Sequence, residues 1–522
     1  MKQARQIFRD ALLLTVSALL MRTVGVAFQV AISNRAGAEV MGLYSLMAGV
    51  YGLAFTLATS GIHLGVTRLV AEALSFSDFV RIKGILKTAC RYAFLCGSVA
   101  AILLYTTAEP IGTVWLSDAR TVLSLRWFSL SLPFVSLSSV FNGYFIAIRQ
   151  SYKNASIQIT EQFIKISITM YLLSLLAGKE AEKLLCALVL GGVLSELLSF
   201  LINLFFVWMV QRKNASRKRT VACDGIALLR ITAPIAFASY IRSALLTLQH
   251  VLIPRGLRRN GVSHATSLAA YGCIHSMALP IVLYPAALIS SFSGLLIPTL
   301  AECQVQKRQK QIRYIVARVW FFSMLFSVGA AGILICFSEE LGILLYPNTD
   351  TGRYIRLLAP LIPIMYLDTA TDAMLKGLGE QVYSMKINIL DALLSVILVW
   401  TLIPFYGIDG YIVAIYVSEL FNTVFSITKL LCVTKVSAKL LKWVYQPLLC
   451  ILAATYTSRF LLAYHRTDAD VGTGSSIFHC CLAALLYLAF LLLTGTINRE
   501  ELAWGKTLIC QRKNAVQATS EK

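Results

Sequence analysis

The chain has 522 residues, 57% of them hydrophobic and 14% charged, with a formal net charge of +21 and a mean hydropathy of +0.71. This composition excludes a soluble globular domain, because apolar runs of about 20 residues, the length that crosses a hydrocarbon core of about 30 Å, recur from end to end. A charge of +21 would suggest nucleic acid in a soluble chain, but here Lys and Arg gather between the apolar runs, so no nucleic-acid partner is implied.

The first apolar segment covers 11–33. Its basic start and Ala11–Leu20 stretch resemble a signal peptide, yet Arg22 interrupts the run and hydrophobicity resumes to Ser33 without a cleavage motif. An uncleaved first helix is therefore predicted. Further spans follow at 41–65, 88–107, 123–147, 155–176, 184–210, 226–251, 268–298, 314–337, 355–375, 386–405, 410–432, 443–463 and 476–495, which makes fourteen. The segment 268–298 is long enough to tilt or bend. Pro280, Pro285 and Pro298 within it, and Pro234 in the segment before, free backbone carbonyls and favour bends.

No loop between spans is long enough for a soluble domain, and no Walker A pattern, zinc-ligand spacing, nucleophile elbow or Gly-rich phosphate loop is present. The reading is a non-enzyme with no metal and no cofactor. The twelve cysteines are scattered, Cys480 and Cys481 being vicinal, and read as structural thiols. Basic clusters at Lys2/Arg5/Arg9, Arg81/Lys83/Lys87, Arg212/Lys213/Arg217/Lys218/Arg219, Lys307/Arg308/Lys310/Arg313, Lys435/Lys439/Lys442 and Arg512/Lys513 fall on one side if the N-terminus is cytoplasmic. That bias predicts an inner (plasma) membrane protein with both termini cytoplasmic and anionic lipids as partners.

The chain also repeats itself. Glu72 and Glu302, Pro133 and Pro363, Asn142 and Asp372, and Glu161 and Asp391 are each 230 residues apart. Thr67-Arg-Leu-Val-Ala-Glu72 is echoed by Thr299-Leu-Ala-Glu302, and Ser195-Glu196-Leu197 by Ser418-Glu419-Leu420. The fold class read from this is an all-α polytopic membrane protein, two parallel six-helix repeats plus two C-terminal helices. The expected organisation is a first lobe over 1–210, a cytoplasmic linker over 211–225, a second lobe over 226–434, two extra helices over 435–496 and a cytoplasmic tail over 497–522. A groove between the halves, lined by the first helices of each copy, is expected to hold the site.

Leu20-Met-Arg22-Thr-Val-Gly25, Ala36-Gly-Ala-Glu39-Val-Met-Gly42-Leu-Tyr44, Tyr271-Gly272, Met277-Ala-Leu-Pro280, Tyr284-Pro285-Ala286 and Leu296-Ile-Pro298 resemble the stage V sporulation protein B branch of the polysaccharide transporters. That branch lies in the multidrug/oligosaccharidyl-lipid/polysaccharide exporter superfamily. The resemblance spans essentially the whole chain and implies flipping of undecaprenyl-diphosphate-linked sugars, such as peptidoglycan or capsule precursors, to the outer leaflet. Lipid II flippases of the same superfamily carry essential cations on the first helix and an Arg with an acid early in the eighth. Arg22 matches the first of these; the second first-helix Arg is Phe28 here, and the eighth-helix Arg falls at about His275 with no acid beside it.

Charges inside spans cost about 2.5–3.5 kcal/mol for an Arg at a helix centre, so they mark a cavity or a helix interface. Arg22 is the leading substrate-binding candidate, because a guanidinium keeps its charge and its planar fork suits a diphosphate; the alternative is a salt bridge to an acid such as Glu196. Arg242 is its approximate counterpart in the seventh span, while Arg230 reads as an interfacial side chain. Arg255, Arg258 and Arg259 form an outer-face cluster, either an ordinary charged loop or a receiver for diphosphate. Tyr44, Tyr271 and His275 flank the expected groove. Glu161 and Lys165 share a helical face and are expected to pair, as are the members of the Asp368, Asp372, Lys376 ladder. Glu161, Asp372, Asp391, Glu196 and Glu419 are candidates to couple Na⁺ or a proton, or else glue between helices.

The function read from the sequence is a flippase for a lipid-linked saccharide, working by alternating access. The alternative is a cation-coupled multidrug exporter of the same fold.

Overall fold

The computed structural model describes residues 2–76, 79–148, 150–176, 180–213, 225–346, 350–436, 440–465 and 473–496. The expected linker at 211–225 and tail at 497–522 fall largely outside them. Among the described residues the chain is helical, with no strand. The reason is the solvent: hydrocarbon offers no partner for a backbone N–H or C=O, so a spanning segment must satisfy them internally.

Eight described helices are long and apolar enough to cross a membrane. Two are far longer than one crossing. Helix α1 (Lys2–Thr59) has 58 residues and is broken at Gly37, where φ is 81°. At about 1.5 Å per residue it would run to about 87 Å, nearly three core thicknesses. The positive φ breaks the helix there, and glycine tolerates it because it has no Cβ. After a turn at Gly61, α2 (Ile62–Ser75) begins, so the 41–65 span ends earlier than its hydropathy suggests. Then come α3 (Phe79–Pro110), α4 (Thr121–Ala147), α5 (Ser151–Leu175), α6 (Ala181–Lys213) and α7 (Gly225–Arg259).

The segment predicted to bend is broken outright, into α8 (His264–Gly272), a π-helical turn at Cys273–Ala278, α9 (Leu279–Leu283) and α10 (Ala286–Val305). Beyond it lie α11 (Gln309–Cys336), α12 (Ser338–Leu345), α13 (Thr351–Leu358), α14 (Ile362–Gly377) and α15 (Gln381–Thr434). Helix α15 is again a double-length helix, broken at Gly407 with φ 59°. Helices α16 (Leu440–His465) and α17 (Thr473–Leu493) close the described chain.

The spacing of 230 seen in the sequence governs whole elements. Helix α3 starts at Phe79 and α11 at Gln309; α4 and α13 start at Thr121 and Thr351. Helices α4 and α14 end at Ala147 and Gly377, and α5 and α15 start at Ser151 and Gln381. The two copies even share a glycine junction. A Cβ at Gly112 would meet Thr121 Oγ1 at 2.9 Å, and one at Gly342 would meet Gly352 Cα at 2.6 Å.

Contacts divide the chain into two compact units: one holds 1–30, 273–391 and 415–522, the other 31–272 and 392–414. In the second, Val66, Leu69, Ile85, Ala89, Val140 and Phe145 form a buried core shared by α2, α3 and α4. In the first, α16 and α17 dock on α11 through Phe321, Leu325, Ala454 and Leu491. The Tyr487 hydroxyl there donates to Leu325 O at 2.7 Å. Large side chains such as Phe94, Leu95, Ile102 and Leu103 on α3 stay exposed, as a lipid-facing surface requires.

Small residues set the closest helix approach, as in membranes generally. A Cβ at Gly42 would collide with the Leu268 carbonyl, and one at Gly272 with the Ala38 carbonyl, whereas Gly52 has open space around it. Gly42→Ala is therefore expected to destabilise the protein by about 1–3 kcal/mol, the usual overpacking cost, while Gly52→Ala leaves thermal unfolding in detergent unchanged. Equal melting temperatures for the two variants would show that this contact does not set the helix spacing.

Candidate functional site

Helix α1 carries Arg22 midway along the first apolar segment, 11–33, and about 15 residues before the Gly37 break. Its side chain is exposed. Among the described residues it has no ion-pair partner. The guanidinium sits within electrostatic reach of Tyr366 on α14.

What fixes α1 at this point is the broken eighth segment. Pro280 has no N–H to give the carbonyl four residues back, that of Ser276. Gln29 Nε2 of α1 donates to that carbonyl at 3.1 Å. Pro285 breaks the next turn, and there the Tyr366 hydroxyl donates to Val282 O at 2.8 Å while accepting from the Ala286 N–H. The phenol thus stands inside the helical ladder, a recognised cause of a kink. One residue from Arg22, the Thr23 hydroxyl shares a 2.8 Å hydrogen bond with the Tyr284 hydroxyl. Gln29, Tyr284 and Tyr366 are missed by the sequence reading. The signal that would have found Gln29 is Pro280, which announces a carbonyl needing a foreign donor.

The predicted coupling acids are held in two clusters, each within its own unit. Glu161 accepts from Ser199 Oγ at 2.7 Å. The expected direct pair with Lys165 is not formed; Lys165 acts on Glu161 electrostatically, because the serine of the neighbouring helix takes the carboxylate. Glu196 accepts from the Tyr51 hydroxyl at 3.1 Å, which also bonds Ser131 at 2.8 Å. In the other unit Asp391 accepts from Ser418 Oγ at 2.5 Å and Asp368 from Asn422 Nδ2 at 3.1 Å. Glu419 lies within electrostatic range of both acids. Asp372 pairs with Lys376 as expected, at 2.5 Å, and also accepts from Ser384 Oγ. The repeat-related acids Glu161 and Asp391 therefore make the same kind of bond, to a serine on the next span of their own copy.

The remaining candidates are dispersed. Arg242 is exposed on α7 and has no ion-pair partner among the described residues. Tyr44 packs against Phe128, ring centroids 6.4 Å apart. Tyr271 is fully buried, its hydroxyl bonded to His250 Nδ1 at 2.8 Å, so in this structure its ring offers no face for stacking. His275 is half-buried in the π-helical turn.

The sequence model described as polysaccharide biosynthesis protein matches residues 7–304, more than half of the chain. The chain belongs to the polysaccharide biosynthesis protein family. A second model, MatE, matches residues 260–401. Stage V sporulation protein B of Bacillus subtilis (strain 168) is 23% identical over 508 residues, spanning 96% of this chain and 98% of that protein. Lipid II flippase MurJ of the same organism is 23% identical over 452 residues, spanning 78% and 79%. The solved structure of lipid II flippase MurJ in an inward closed conformation shares the fold, with a TM-score of 0.70 over 93% of this chain and 99% of that one at 13% identity. Its fold is shared with solved membrane transporters, the lipid II flippase among them, and eight of its described helices are long and apolar enough to cross a membrane.

At the end of α3 this family member carries a polar knot that the sequence reading did not single out. Arg120 Nε reaches Asp118 Oδ1 at 2.9 Å, and its Nη2 reaches Asp118 Oδ2 at 2.6 Å and Glu39 Oε1 at 2.8 Å. His264 Nε2 lies 3.3 Å from Asp118 Oδ2. The Asp118 side chain is only 6% exposed. Burial pushes its carboxyl up, but the hydrogen bonds and charge of Arg120, aided by His264, win and hold it below the ordinary 3.8.

A depressed folded-state pKa gives stability that is complete above the unfolded value and lost as pH falls through the folded one. Asp118→Asn is expected to cost about 1–3 kcal/mol at pH 7, since it leaves Arg120 half-paired. The deficit in melting temperature relative to the natural chain should shrink as pH drops below about 4. A deficit that is constant across pH would remove the charge from the explanation.

Proposed function

We propose that this transporter flips an undecaprenyl-diphosphate-linked oligosaccharide or peptidoglycan precursor, lipid II-like in chemistry, from the inner to the outer leaflet of a bacterial plasma membrane by alternating access. The observation that carries the reading is Arg22: a cation midway along the first apolar segment, exposed, and without an ion-pair partner among the described residues. An arginine so placed is tolerated only beside water or an anionic ligand, and its planar fork of donors fits a diphosphate. The curated relatives include proteins named for spore formation and for lipid II flipping. In this reading Arg22, assisted by Arg242, holds the diphosphate; Tyr44, Tyr271 and His275 shape the path; and the polyprenyl tail stays in lipid. The chain crosses the membrane fourteen times with both termini cytoplasmic, as its basic clusters suggest. Na⁺ or protons couple transport through Glu161, Asp372, Asp391, Glu196 and Glu419.

In a deletion strain a polyprenyl-linked saccharide should accumulate, and an impermeant reagent should find it on the cytoplasmic side. Arg22→Glu should fail to restore transport by a factor of at least about 100, since reversing one charged contact costs several kcal/mol, with the protein still present in the membrane. Normal flipping by that variant would end the cationic-site reading.

A second reading, a cation-coupled multidrug exporter, draws support from the MatE match over 260–401 and from the carboxylates Asp368, Asp391 and Glu419 lying within electrostatic range of one another. It predicts a drop in drug susceptibility on expression that disappears with Glu161→Gln or Asp372→Asn. Unchanged susceptibility would count against it.

A further inference from the structure

The C-terminal end of α7 lies on the far side of the membrane from the basic linker that precedes it. Its 35 residues run to about 52 Å, more than the core thickness. Arg255, Arg258 and Arg259 stand there at spacings of three and four, on one helical face. The three are within electrostatic range of one another.

Cations at a helix C-terminus gain about 0.3–1 kcal/mol each from the helix dipole. That accounts for basic residues at this end but not for how they are held. Arg255 donates to the Val114 carbonyl of the π-helical turn at Ile111–Trp115, and Arg258 Nη2 donates to Ser117 Oγ at 3.0 Å. Ser117 itself has a positive φ of 56°, unusual for a residue other than glycine. Both guanidinium groups are thus fixed by neutral acceptors, which leave the positive charge uncompensated. Arg258 Nε is buried and has no hydrogen-bond partner among the described residues, and a buried donor left unpaired is costly. Arg259 is exposed and has no partner among the described residues.

The nearby acids are taken. Asp118 and Glu39 are held by Arg120, and Glu109 by Arg126 at 3.7 Å. Three forks on one face, two of them pre-positioned and one with a free buried donor, suit an anion with several oxygens rather than a single carboxylate.

We propose that Arg255, Arg258 and Arg259, with Ser117 as positioning residue, form a phosphate-binding site at the far end of α7. The anion is either the diphosphate of the carried lipid or a phospholipid headgroup. The diphosphate assignment deepens the flippase reading and rests on it; the site itself does not.

The test is arginine footprinting of the purified full chain. Phenylglyoxal modification is followed peptide by peptide, with inorganic diphosphate or with chloride of equal ionic strength. Diphosphate at ten times Kd should slow modification of Arg255 and Arg259 about tenfold, because the free fraction falls to about one-eleventh, and chloride should not. Arg258→Gln should abolish that protection, and Arg22→Gln should leave it intact; Arg255→Gln, read at Arg259, serves if the Arg258 variant fails to fold. Equal rates in diphosphate and chloride overturn the site.

Nanodiscs separate the sources. Protection in phosphatidylglycerol without diphosphate, absent in phosphatidylcholine, supports the site with a phospholipid headgroup as its occupant. Protection that requires diphosphate in both lipids supports it with a diphosphate occupant. The Arg22 peptide in the same digest keeps the two ideas apart. Protection at the α7 end alone leaves this site standing without the Arg22 reading, and protection at Arg22 alone does the reverse.

Discussion

The structure depends on one constraint: a peptide group inside a membrane must find its hydrogen-bond partner within the protein. Helices meet it everywhere except at prolines, which remove a donor and crowd the carbonyl four residues back. At Pro280 a side chain is borrowed, Gln29 at the Ser276 carbonyl, and further along the Tyr366 hydroxyl stands between the Ala286 N–H and the Val282 carbonyl. Each repair binds a distant helix to the broken segment. Helix α1 is thereby held where Arg22 and Thr23 stand beside Tyr284 and Tyr366. The kinked segment and the placement of α1 beside it follow from the same missing backbone donor.

The same solvent sorts the charges. Acids in the spans are held by hydroxyls or amides of neighbouring helices: Ser199, Tyr51, Ser418 and Asn422 each take one. Neutral partners of this kind satisfy oxygen lone pairs without cancelling charge. Asp372, paired with Lys376, is the exception among these acids. The bases Arg22 and Arg242 are instead exposed.

The repeat explains how two copies come to share these devices. Equivalent elements begin at Phe79 and Gln309 and at Ser151 and Gln381, and the paired acids Glu161 and Asp391 both bond a serine on the following span. The copies have also diverged. Glu161 uses Ser199, whereas Asp391 uses Ser418, which corresponds in sequence to Ser195. Ser195 and Ser418 stand 223 residues apart, seven short of the common spacing, so the echo is shifted by about two helical turns.

The sequence alone determined what the bilayer dictates through composition and spacing. Those are the all-helical membrane class, the repeat at 230 residues, the bend near Pro280 and Pro285, and Arg22 as a charge out of place. These are legible because hydrophobic length, proline chemistry and charge cost act locally along a chain. Only the tertiary structure decided which side chains answer them. Gln29 and Tyr366 have ordinary sequence neighbourhoods, and Tyr271 looked available until its burial against His250 was seen. Lys165 lost Glu161 to a serine 38 residues from that acid, and Asp118 gathered His264 from 146 residues away. Such partners are chosen by distance in space, where a hydrogen bond falls away within an ångström, and that distance is not written in the order of residues.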